Sequence, residues 1–175
     1  MIEIETRRLR LRGWTGDDVE PLSAMMEDPA FVKFNGTGHP LSRDATWQMV
    51  ATMIGHWALN GFGYWAVEHR ESGQFIGNCG LWQSPGSPGL EIAWMIASSH
   101  QGQGYASEAA RAALRFAFEE LEAKEVIAII HPKNTPSIHV ARNIGQHFRH
   151  LGPHKGKLSA FFSMHRQAWL SRQAA

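Results

Sequence analysis

The run Leu90 to Ile96 reads as a strand. It is followed by the turn Ser99-His100-Gln101-Gly102-Gln103-Gly104, by an amphipathic stretch from Tyr105, and by the apolar, largely β-branched run Glu125 to Ile130. Two strands joined through a helix cannot close as a tight hairpin. They lie parallel across a crossover, which is right-handed almost without exception. Within the helical stretch Ala106, Ala109, Ala110, Ala113, Leu114, Ala117 and Leu121 form one stripe, with Arg111, Arg115, Glu119 and Glu122 outside it, so small side chains allow close packing on the sheet. Glu125 to Ile130 is too short for a separate helix and reads as a strand buried on both faces. The turn adds a chemical constraint. Its two glycines admit a ligand without a Cβ in the way, and the first N–H groups of the helix have no intrahelical partners, which suits a diphosphate.

The other segments supply the rest of an α+β fold. Arg8 to Trp14 alternates like a half-buried strand and opens the sheet. Thr15 and Asp18 resemble a helix N-cap and acidic first turn, with Val19, Leu22 and Met26 as the apolar stripe and Pro29 as the stop. Ser42 caps a longer helix that ends at Asn60-Gly61, and Trp47, Val50, Ala51, Ile54, Trp57 and Ala58 are its expected buried side. Tyr64 to His69 and Gln74 to Trp82 flank Arg70-Glu71-Ser72-Gly73 as an antiparallel hairpin. Thr135-Pro136 starts a further helix carrying Ile138, Ala141 and Ile144, which Gly145 ends, and Leu158 to Arg166 is the last strand. His139, His147, His150 and His154 fall in what reads as an exposed loop, and their spacing matches no metal motif. The expected architecture is one domain over residues 1–175: a mixed, mostly antiparallel sheet with a central parallel pair, flanked by about four helices.

Charge narrows the partners. Seventeen basic against 16 acidic residues leave a formal net charge of +1, and the scatter of the basic residues gives no footprint for nucleic acid or a membrane surface. Cys79 is the single cysteine, so an internal disulfide is excluded, and a reducing cytoplasm is the expected location. No stretch has the ~18 apolar residues of a membrane span, and the acidic start Met1-Ile2-Glu3-Ile4-Glu5 is unlike a signal peptide.

Gln101-Gly102-Gln103-Gly104-Tyr105-Ala106 fits the Gln/Arg-x-x-Gly-x-Gly/Ala signature of the GNAT superfamily of N-acetyltransferases. The order of elements resembles that fold over essentially the whole chain. Glu5 to Arg12, Tyr105-Ala106-Ser107-Glu108-Ala109 and Asn134-Thr135-Pro136-Ser137 are similar to the RimJ/RimL branch, whose members acetylate protein N-terminal amines. The resemblance implies acetyl-CoA as co-substrate, no metal, and a primary amine as acceptor, either a peptide N-terminus or a small molecule. It also implies that the parallel pair splays. Gln101, Gly102, Gln103, Gly104, Tyr105, Ala106 and Ser107 would then hold the diphosphate, and Trp94, Met95 and Ile96 would pair with the pantetheine arm, opposite Asn134.

Direct attack of an amine on a thioester needs a base, an oxyanion donor and a proton for the thiolate. Glu91 alternates with Ala93 and Met95 and is the expected base, acting through water, with His131 as its competitor. Relatives place a tyrosine acid seven residues after the asparagine, where this chain has Ala141, so the resemblance assigns Ser137 to the thiolate. Each assignment has a structural counterpart. Glu91 can be a solvated strand residue, His131 a strand-end histidine, Ser137 a residue bonding the backbone at a helix start, and Glu108 a carboxylate serving the helix dipole. Ser107 at the third glycine position argues against a dinucleotide oxidoreductase. An acyl-CoA-binding sensor without turnover is the alternative function. A homodimer contact through Phe161 or Phe162 is a further expectation.

Overall fold

The computed structural model describes residues 2–34 and 38–173 and places the crossover unit at the centre of an eight-stranded sheet. The chain runs β1 (Ile4–Glu5), β2 (Leu9–Arg12), α1 (Val19–Met26), α2 (Pro29–Val32), α3 (Arg43–Asn60), β3 (Tyr64–His69), β4 (Gln74–Trp82) and β5 (Glu91–Ile96). It continues with α4 (Tyr105–Glu119), β6 (Glu125–Ile130), α5 (Thr135–Asn143), β7 (His147–His154), β8 (Lys157–His165) and α6 (Arg166–Gln173). The strand order is β1-β2-β3-β4-β5-β6-β8-β7, with only β5 and β6 parallel.

Two buried clusters hold the elements to the sheet. In one, Val19, Leu22 and Met26 of α1 and Val50 and Met53 of α3 meet Ala66 and Phe75 of the sheet. In the other, Ala109, Ala110, Ala113 and Ala117 of α4 are completely buried with Trp65, Ile76, Leu81 and Ile92. Four alanines in that stripe let α4 lie close to the strands, which brings its N-terminus to the end of β5. The thiol of Cys79 on β4 is free and lies in this cluster, and burial pushes its pKa up.

Several sequence expectations are corrected here. The strand read from Arg8 to Trp14 stops at Arg12, and β1 precedes it at the sheet edge. Pro29 begins the one-turn α2, as proline does readily at a first helical position. On α3 the buried side is Thr46, Val50, Met53 and Trp57, while Trp47 is 57% exposed and Ile54 is 41% exposed. The helix is apolar on two sides, so periodicity alone picked a mixture of them. β6 alternates between buried and half-buried residues, because one of its faces borders a cleft. The N-cap of α5 is Asn134, one residue before the expected Thr135.

Of the histidines read as lying in an exposed loop, His139 is on α5, and His147, His150 and His154 are on strand β7. It pairs with β8 around Lys155-Gly156, whose φ values of 46° and 75° suit a two-residue hairpin turn. Gly152 and Pro153 are tolerated because β7 is an edge strand. Phe162 is buried, and His150 stacks on Phe161 at 4.6 Å between ring centres. Helices α2 and α6 add to the four read from sequence. Among the described residues no helix is long and apolar enough to cross a membrane.

Candidate active site

Strands β5 and β6 are bridged at a single register pair, Glu91 with Ile127, next to the bond from Ile127 N–H to the Leu90 carbonyl (2.9 Å). Beyond it Ala93 to Ile96 pair only with β4 among the described residues, which leave their other edge free. A cavity of about 350 Å³ opens there. It collects Glu91, Trp94 and Met95 from β5 and Asn134 and Ser137 from the start of α5, with Tyr64 and Asn78 contributing from β3 and β4. Ile96 is not brought to it. Its side chain is buried in the core, and its carbonyl accepts from Gln101 Nε2 at 2.9 Å.

The glycine turn lies beyond that cavity. Gly102 and Gly104 have φ of 74° and 82°, a region open to glycine and costly for other residues, and Gly104 starts α4 without any side-chain cap. The N-terminal N–H groups of a 15-residue helix are thus left to an outside acceptor. Gln101 reaches back to the end of β5, Gln103 folds onto the turn with its Nε2 donating to the Ser99 carbonyl, and Tyr105 and Ser107 are buried. Sequence reasoning missed Arg8. It donates to the Gln103 carbonyl (3.0 Å) and lies over the Tyr105 ring at 4.4 Å, fastening β2 to the turn. Arg7 and Arg111 were also missed; with Gly104 and Ser107 they line a shallow depression of about 510 Å³ next to the turn. Arginines roughly 100 positions apart in sequence give no local signal of such convergence.

Glu108 has the structural role. Its carboxylate accepts from Thr6 Oγ1 (2.7 Å), Arg8 N–H (2.8 Å) and Arg8 Nε (2.7 Å). Burial opposes its ionisation, but these bonds and the Arg8 charge outweigh burial and hold its pKa below the usual range. A lowered folded pKa stabilises the protein above the unfolded value of about 4.3 and loses that contribution as pH falls through the folded value. Glu108→Gln should therefore be less stable than wild type at neutral pH, with the gap closing below about pH 4 in urea denaturations run across pH.

Inside the cleft, burial raises the pKa of Glu91, and the nearby Lys155 charge partly offsets this. Glu91 accepts no hydrogen bond among the described residues. Burial and the Glu91 charge push the Tyr64 phenol up. Asn134 Oδ1 accepts from Ser137 N–H (3.3 Å), so the asparagine caps α5 while its residue borders the cavity. His131, the competing base, accepts from Lys133 N–H (3.1 Å) and packs on Phe34 at 5.0 Å. Ala141 is completely buried in the core, so that position offers no acid. No group of three or more metal-ligating side chains occurs among the described residues.

The chain and its fold are similar to those of known proteins. Residues 8–147 match the family described as the acetyltransferase (GNAT) domain. The Bacillus subtilis (strain 168) protein YkkB is 41% identical over 90 residues, covering 50% of this chain and 52% of that protein, so the chain spans about half the length of that relative. The acetyltransferase from Agrobacterium tumefaciens str. C58 superposes with a TM-score of 0.84 at 29% identity, covering 94% of this chain and 95% of its own. RimL, a ribosomal L7/L12 alpha-N-protein acetyltransferase solved with coenzyme A, gives 0.79 at 16% identity, covering 95% and 99% of the two chains, a likeness of fold. The chain belongs to the GNAT acetyltransferase family.

Proposed function

We propose that the protein transfers the acetyl group of acetyl-CoA directly to a primary amine. The observation that carries this reading is the free edge of β5 running from Glu91 towards the uncapped start of α4. The N–H groups from Gly102 to Ser107 hold the diphosphate, and Arg7 and Arg111 add positive charge next to them. Trp94 and Met95 pair with the pantetheine amides, with Asn134 across the cleft. Ile96 takes less part, since its carbonyl is already bonded.

In the transfer, Glu91 removes the proton of the amine through water. The neutral nitrogen attacks the thioester carbonyl, and a β5 N–H bonds the developing oxyanion, a contact worth roughly 3–4 kcal/mol when well placed. Collapse breaks the C–S bond, the proton left on nitrogen passes through water to the thiolate, and coenzyme A leaves as the thiol, its sulfur accepting a hydrogen bond from Ser137. The raised pKa of Glu91 brings the carboxylate nearer to the working range of a base. RimL, which acts on a protein N-terminus, supports the N-terminal amine as one acceptor class.

The test is thiol release from acetyl-CoA with a panel of peptide N-termini, polyamines, free amino acids and aminoglycosides. Amine-dependent release with a matching N-acetyl product is expected, whereas tight acetyl-CoA binding without amine-dependent release would overturn the reading in favour of a sensor. For the cradle, Arg111→Ala should raise the KM for acetyl-CoA about three- to tenfold and leave kcat within twofold. That KM penalty should shrink at high salt, because exposed charges are screened.

A further inference from the structure

Asn78 is out of place by the rules of its strand. It sits in register between Ala66 of β3 and Met95 of β5, on the face that α1 and α3 cover with apolar side chains. It is 3% exposed, its Nδ2 has no hydrogen-bond partner among the described residues, and it lines the same cavity as Glu91. A buried amide without a partner costs stability, and such a group in a folded protein calls for a specific cause. Ser23 and Gln146 also carry an orphaned atom, but neither lines this cavity.

Two residues along the same face separate the Asn78–Met95 rung from the Trp82–Glu91 rung, with Gly80 and Ala93 between them. Ala93 lines the cavity between Asn78 and Glu91, and its small side chain leaves room for a substrate lying across both. Asparagine offers a neutral N–H donor whose natural partner is an oxygen. We propose that Asn78 positions the acceptor by hydrogen-bonding an oxygen near its reactive nitrogen, so that the preferred acceptors are amines with a carbonyl or hydroxyl a few bonds from the nitrogen rather than plain alkylamines. This rests on the acetyl-transfer reading above. A site built to satisfy a polar group discriminates strongly against analogues that lack it, because its own donor is then left unpaired.

The test compares trialanine with n-butylamine as acceptors at saturating acetyl-CoA, for wild type, Asn78→Leu and Asn78→Ala. Wild type should prefer trialanine. Asn78→Leu should raise the KM for trialanine about tenfold, with the KM for butylamine and for acetyl-CoA unchanged within twofold. Its Tm without ligands should rise by roughly 2–4 °C, since the orphaned donor is gone. Asn78→Ala should show the same selective KM change even if the leucine variant folds poorly. Equal losses with both amines, an unchanged preference, or a wild-type preference for butylamine each overturn the role of Asn78 while leaving acetyl transfer standing. No transfer to any amine of the wider panel overturns the parent reading, and this one with it.

Discussion

Replacing Glu91 with glutamine is expected to lower kcat by roughly 10²- to 10⁴-fold, with folding and acetyl-CoA affinity retained. Among the described residues Glu91 is the one carboxylate lining the cleft, and it makes no hydrogen bond there that would give it a structural task. Its burial also gives the pH profile a distinctive form. Activity needs the ionised carboxylate, so it rises with pH, and the midpoint should lie above the ordinary glutamate value of about 4.3. Lys155→Ala should move that midpoint further up, since the lysine charge favours ionisation. The glutamine variant should lose this limb.

Stability runs the other way for the same residue. A folded pKa above the unfolded one means that the native state binds the proton more tightly, so stability falls as pH rises through the interval. Glu91→Gln should therefore be at least as stable as wild type at neutral pH, which separates lost chemistry from lost structure. Stopped assays for N-acetyl product, paired with urea denaturation, check both.

Gly77→Ala is expected to be the most destabilising single-methyl change in the sheet, lowering the unfolding free energy by about 3 kcal/mol or more. Gly77 has φ of 146°, and a Cβ there would fall on the Met95 carbonyl oxygen and within 3.0 Å of the Ile96 Cα. Neither is the movable end of a flexible side chain. Relief requires β5 to shift at the point where its other edge is free, so the KM for acetyl-CoA should rise together with the loss of stability. Gly73→Ala is the control. It also has positive φ, 68°, but nothing lies within 4 Å of its Cβ position, so it should cost only about 1–2 kcal/mol and leave KM unchanged.

The crossover unit was legible because its signals are local and agree. Leu90 to Ile96, the glycine turn, the alanine stripe and Glu125 to Ile130 each point to the same topology, and the structure has all four in place. Ser42 and Gly61 marked the ends of α3 for the same reason, as Ser42 Oγ accepts from Ala45 N–H and Gly61 has φ of 74°. The face of α3 was not legible. Trp47 and Ile54 alternate with Val50 and Trp57 at spacings that suit either side of a helix, and only the position of the sheet decides which side is covered. β7 was hidden by a polar edge-strand composition, His147-Phe148-Arg149-His150-Leu151-Gly152-Pro153-His154, that lacks strand patterning. At the site, Asn134 could be found by its motif and Glu91 by its alternation along the strand, whereas Asn78 and Lys155 in the cleft and Arg8 at the glycine turn matter through neighbours far away in sequence. An asparagine inside the run Phe75 to Trp82 does break the apolar pattern, and that break was the available signal.

The buried thiol on β4 keeps the protein itself out of any assay that reads free thiols. Cys79 is the chain's single cysteine, it is completely buried, and burial keeps it protonated. The native protein should thus be silent to disulfide reagents, which need an accessible thiolate. Turnover can then be followed continuously by colour as coenzyme A appears, with no blank from the catalyst. Any slow colour from enzyme alone becomes a clock for global opening of the sheet.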